Sequence, residues 1–158
     1  MSSPLSYAGA GLALAAVVAG ALVPFQAGSN AALGRALGHP LWATVASLLV
    51  SLLVVLPVIV AMRAPSPSLG QAGALPIWAW FGGVAGVIYI TSALMLTPRL
   101  GATSFIVCVV AGQMLTSLLI DHFGLMGLPV KEANLGRIGG VLTILAGMVM
   151  VQWSSTVR

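Results

Sequence analysis

Five apolar stretches, residues 5–25, 41–62, 76–96, 102–120 and 135–153, leave this chain few ways to fold. Each is close to the roughly 20 residues that a helix needs to cross a hydrocarbon layer about 30 Å thick. A backbone in lipid must satisfy its own hydrogen bonds, and a helix does so within one segment. The expectation is an all-α integral membrane protein, a single membrane domain over residues 1–158 with five spans. Composition agrees: 59% of the residues are hydrophobic and 5% are charged, against roughly a quarter charged in a soluble domain.

The breaks fall where backbone chemistry puts them: at Gly38-His39-Pro40, at Pro65-Ser66-Pro67 through Gly70 and Gly73, at Pro98-Arg99-Leu100-Gly101, and at Gly124 through Pro129. These connections are short, so neighbouring spans run antiparallel. Pro57 is expected to kink the second span, with Ser47 and Ser51 as helpers for the freed carbonyl. The start, Met1-Ser2-Ser3-Pro4, has no Lys or Arg ahead of its Ala-rich segment, which reads as a span rather than a cleaved signal. Trp42, Trp78, Trp80 and Trp153 all lie at span ends, the headgroup level where amphipathic rings collect.

A pI near 10.3 rests on six Lys and Arg scattered singly among the connections and span ends, with no patch that would hold nucleic acid. Cys108 stands alone in an apolar run, which rules out an internal disulfide and a Cys/His metal cluster. There is no phosphate-binding loop, no Ser/His/Asp set and no ATPase domain. No enzymatic activity, cofactor or metal is expected, and energy for any transport would come from an ion or substrate gradient.

Basic residues ordinarily orient such a chain, because Lys and Arg stay cytoplasmic. Here Arg63, Lys131 and Arg137 fall on the face of the N-terminus and Arg35, Arg99 and Arg158 on the other, three against three. Two readings fit. Either the chain inserts both ways and pairs antiparallel with its own copy, giving an inverted repeat from one sequence, or a weak bias is decided by other factors.

In the fourth span, Ser104, Cys108, Gly112 and Thr116 recur at four-residue steps as a small-residue stripe suited to helix packing or dimer contact. The adjoining face carries Gln113, Ser117 and Asp121, a polar line from mid-membrane to one interface. Polar groups in lipid face a cavity or a partner, so this line is a candidate pathway, with interhelical hydrogen bonding as the alternative. Asp121 ends its helix, where the dipole disfavours a negative charge and a compensating group is expected. Asp121 with His122 suits proton coupling; pairing of Asp121 with Lys131 or Arg137 is the plainer reading. In the third span Gly82, Ala85, Gly86, Tyr89 and Ser92 share a face, the glycines for packing, Tyr89 and Ser92 for packing or for lining a pathway. Gln26 and Asn30 close the first span after Pro24, where an early helix break would turn amides toward a central vestibule, or where Asn30 would cap a simple turn.

Two longer motifs carry a resemblance. Pro24-Phe25-Gln26-Ala27-Gly28-Ser29-Asn30-Ala31-Ala32-Leu33-Gly34-Arg35, followed by Gly38-His39-Pro40-Leu41-Trp42-Ala43, resembles the opening of the YdcZ-like family of the drug/metabolite transporter superfamily. Ala111-Gly112-Gln113-Met114-Leu115-Thr116-Ser117-Leu118-Leu119-Ile120-Asp121-His122-Phe123-Gly124-Leu125 is similar to that family's most recognisable segment, and Pro98-Arg99-Leu100-Gly101 matches as well. Ser51 stands where the family pattern has glycine. The resemblance implies half of a ten-helix inverted-repeat transporter, completed by an antiparallel second copy in the inner membrane. The first span has no carboxylate, unlike small multidrug exporters that exchange cations for protons on an embedded glutamate.

The function expected is secondary transport of a small organic solute by alternating access, outward, with a dual-topology ion channel or a non-transporting membrane subunit as alternatives. The partners expected are the lipid bilayer, an antiparallel copy of the same chain and a small-molecule substrate. With no charge at mid-span, a neutral, amphipathic or weakly cationic solute is the easiest to house.

Overall fold

The computed structural model of the protein describes residues 7–156, and among these the regular structure is all helix, with no strand. Five helices are long and apolar enough to cross a membrane: α1 (Tyr7–Ala36), α2 (Pro40–Ala61), α4 (Phe81–Leu100), α5 (Ala102–Phe123) and α6 (Leu135–Thr156). A short α3 (Leu69–Gly73) and a 3-10 turn over Ile77–Trp80 lie between α2 and α4.

The expected breaks hold at three places for visible reasons. Gly38, at φ +81°, lets the chain reverse between α1 and α2, and His39 caps α2 by accepting the Leu41 N–H on Nδ1 at 3.2 Å, with Pro40 in the first turn. Gly101, at φ +82° and ψ 153°, is the whole connection between α4 and α5. Gly124 ends α5 in the left-handed conformation.

Two expectations about prolines are corrected. Pro24 does not end the first span, since α1 continues twelve residues further to Ala36 and carries Gln26 and Asn30 in its interior. Pro98 likewise sits inside α4, whose helix runs to Leu100. Proline removes one donor and crowds one carbonyl, a local loss that a helix in lipid tolerates because breaking it would leave many more groups unpaired. The third span, its 3-10 turn included, runs from Ile77 to Leu100, so it starts within one residue of the expected Pro76 and ends four residues beyond the expected Leu96. Residues 5 and 6, placed in the first span by the sequence, lie outside the described residues.

α1 and α4 form the centre, with α2 against both on one side and α5 against both on the other, and α6 packs along the outer side of α5. Small residues allow this. The buried set is chiefly alanine, Ala27, Ala31, Ala43, Ala93 and Ala111, with Leu94, Phe105 and Val141. At Gly34 a Cβ would lie 3.4 Å from Cα of Pro40 and 3.6 Å from Cβ of Ala43, so α1 and α2 meet backbone to backbone there.

The bundle is open. Every side chain from Ala10 to Leu22 on α1 and from Leu48 to Ala61 on α2 is exposed. These stretches are apolar, so lipid or another protein surface covers them.

Candidate functional site

Polar side chains inside the bundle gather where α1, α2 and α4 meet. Asn30 donates from Nδ2 to the Ser47 hydroxyl at 3.1 Å, joining α1 to α2. The buried Thr44 hydroxyl lies 3.2 Å from that of Thr91, joining α2 to α4, and 3.4 Å from the Pro40 carbonyl one turn back. Ser47, expected beside Pro57 as a helper, is therefore engaged with α1 instead.

Beside these links, Gln26, Asn30 and Tyr89 line one recess between α1 and α4, walled by Val23, Ala27, Ile90 and Ala93, with a cavity of about 10 Å³. The structure thus brings together three residues singled out from two distant spans. The Tyr89 ring stacks on Phe105 of α5 with centroids 6.5 Å apart. Its hydroxyl is shielded from solvent and has no hydrogen-bond partner among the described residues. Ser92 does not line this recess; its neighbour Thr91 makes the helix-to-helix contact.

The polar line on α5 divides. Gln113 is exposed near the middle of the helix, with neither the recess nor another helix over it. Ser117 returns its hydroxyl to the Met114 carbonyl at 3.2 Å and borders a groove between α5 and α6 that also includes Arg137. Asp121 is ion-paired with Arg137, the compensation its position demanded, and Arg137 also donates to the Lys131 carbonyl at 2.6 Å. His122 accepts the Ala133 N–H on Nδ1 at 3.2 Å, which requires that nitrogen to be unprotonated.

Of the small-residue stripe, Ser104 and Cys108 face α6. The Ser104 and Ser155 hydroxyls are 3.1 Å apart, and the Gln152 amide donates to the Cys108 sulfur. Gly82, Gly86 and Gly112 have no atom within 4 Å of where a Cβ would stand, and Thr116 is exposed, so these four lack close neighbours within one chain. Thr44, Thr91 and Gln152 were not picked out from sequence, and Ser47 was picked out only as a helper for Pro57. The signal for Thr44 and Ser47 was their three-residue spacing on an otherwise apolar helix; Gln152 sits next to an interfacial tryptophan and reads as a solvated end.

A family model described as "Putative inner membrane exporter, YdcZ" matches residues 11–150 of the chain. No curated protein and no solved structure matches.

Proposed function

The chain belongs to this YdcZ family of inner membrane exporters, and from that premise we propose that it moves a small organic solute out of the cell by alternating access, as an inverted pair of identical chains. The observation that carries the proposal is the incompleteness of one copy. The recess that gathers Gln26, Asn30 and Tyr89 has a cavity of about 10 Å³, room for no more than a water, and the larger clefts of about 220–330 Å³ lie open at the bundle surface, whereas pockets for organic ligands bury most of the ligand. At the same time the mid-helix amide of Gln113, the N-terminal half of α1 and the C-terminal half of α2 are left uncovered.

A second copy, inverted about an axis in the membrane plane, supplies what is missing. It brings another set of uncovered faces to the same depth and encloses a larger space between the two. The three-against-three balance of basic residues is compatible with either orientation of insertion. Gly82, Gly86 and Gly112, where an added Cβ would meet nothing within 4 Å, and the exposed Thr116 are available for contact with the copy. Gln113 and Ser117 from both copies, with Gln26, Asn30, Tyr89 and Ser92, are the candidates for the path. Asp121 and His122 remain the candidates for proton coupling, although Arg137 already occupies the Asp121 carboxylate.

Orientation tests this first. Single cysteines at Ser66, in the connection after α2, and at Ser154, near the end of α6, are introduced into a Cys108→Ala chain and treated with an impermeant thiol reagent on intact cells. Labelling of both from outside supports insertion both ways; labelling of one alone refutes an inverted homodimer. Saturable solute flux in vesicles of the purified chain, without single-channel conductance, separates an exporter from a channel, and absence of flux points to a non-transporting subunit.

A further inference from the structure

The recess between α1 and α4 has a chemistry more specific than its size. Three polar side chains converge on it and none is charged. Tyr89 offers a hydroxyl that is shielded and unpartnered among the described residues. Asn30 spends one Nδ2 hydrogen on Ser47, which leaves its carbonyl oxygen and its second N–H. Gln26 offers both an amide N–H and a carbonyl.

An unsatisfied buried hydroxyl is costly, and such groups in native proteins usually have a partner of their own or a bound one. An ion is a poor partner here: a charge at membrane depth without a counter-charge is far more expensive than a neutral group, and no lining side chain carries one. The partner that fits both donates and accepts, as a hydroxyl or an amide does. A cavity of about 10 Å³ takes about one water-sized atom, so it admits the oxygen or nitrogen of one such group and no more. The apolar walls, Val23, Ala27, Ile90 and Ala93, suit the carbon atoms next to it.

We propose that this recess is a subsite for the single neutral hydroxyl or amide group of an otherwise apolar solute, whose body lies outside the recess against the faces that one copy leaves uncovered. The subsite selects against carboxylates and ammonium ions. It names the solute class for the exporter and rests on that reading, but its occupancy can be measured without transport.

The sequence holds two tyrosines, Tyr7 and Tyr89, so the full chain labelled with 3-fluorotyrosine in lipid nanodiscs gives two fluorine resonances, assigned by Tyr89→Phe. Benzyl alcohol, benzamide, toluene, benzylamine and benzoate are titrated in turn. The expected result is a saturable shift of the Tyr89 resonance with benzyl alcohol and benzamide only, with toluene as the control for general partitioning. Gln26→Leu is expected to weaken that response about three- to tenfold, the range for one hydrogen bond. A Tyr89 shift that is linear, or equal for toluene, overturns the subsite, as does saturation by the charged probes. The wild-type titration decides the matter even if the variant misfolds. Flux of the same probes in vesicles is scored separately: saturable binding without flux refutes the exporter and leaves the subsite standing, while flux with no Tyr89 response refutes the subsite alone.

Discussion

Arg137, in the first turn of α6, holds the carboxylate of Asp121 at the end of α5 and so closes the α5–α6 hairpin at its loop end. The same loop is tied by the Lys131 N–H donating to the Asp121 carbonyl at 2.8 Å. At the far end of the pair the Ser104–Ser155 and Gln152–Cys108 contacts hold the helices together. With a carboxylate at a helix C-terminus, the guanidinium offsets a dipole that would otherwise repel it.

Asp121→Asn is expected to lower stability by about 1 kcal/mol or less, because both side chains are about one-third exposed and such pairs are screened. Unfolding of the purified chain in detergent checks this. If Asp121 serves only this pairing, the pH dependence of efflux in vesicles is unchanged by the substitution; an altered dependence would return Asp121 to the coupling mechanism.

Gly101 and Gly124 are expected to resist replacement by alanine for different reasons. At Gly101 a Cβ meets nothing within 4 Å, but φ +82° with ψ 153° is a glycine conformation, so Gly101→Ala costs about 1–3 kcal/mol of strain. At Gly124 the Cβ would also lie 2.7 Å from Cγ2 of Val130. Val130→Ala should therefore recover part of the loss from Gly124→Ala, read as a positive coupling in a double-mutant cycle, and should do nothing for Gly101→Ala.

Thr44→Val and Thr91→Val remove the hydroxyl pair that ties α2 to α4 without changing side-chain volume much. A double-mutant cycle on unfolding is expected to give a coupling of about 0.6 kcal/mol, and no more than about 1.7, the average and the maximum for hydrogen bonds between membrane helices. No coupling would mean that the two hydroxyls do not depend on each other.

Gln113→Leu separates intrachain from intermolecular roles. Its amide has no partner among the described residues of one chain, so the substitution should leave monomer unfolding within about 0.5 kcal/mol of the parent. Self-association in lipid, or solute flux, should fall. Unchanged association and unchanged flux together would assign Gln113 to the lipid-facing surface.

Much of the architecture was legible in the chain because lipid imposes a simple rule: about 20 apolar residues make a helix that spans. The spans, the Trp positions and the reversals at Gly38, Gly101 and Gly124 follow from local properties. The prolines misled, since Pro24 and Pro98 look like stops but lie within continuous helices. Of the candidate residues, the pairing of Asp121 with Arg137 was among the alternatives the sequence offered, because a charge at a helix end needs an opposite one nearby. The small-residue stripe on α5 was legible only as spacing: Ser104 and Cys108 meet α6, whereas Gly112 does not meet any helix of the same chain.

What the sequence determined by itself is the set of five helices long and apolar enough to cross a membrane and the places where they are broken, since hydrophobic length and turn chemistry are properties of consecutive residues. Tertiary structure alone decided that Gln26, Asn30 and Tyr89 share one recess, that Thr44 meets Thr91, and that Gln113 faces outward. These depend on how each helix is rotated about its axis and which neighbour it leans on. Such rotations are set by the fit of alanine and glycine surfaces on α1, α2 and α4, which no single segment contains.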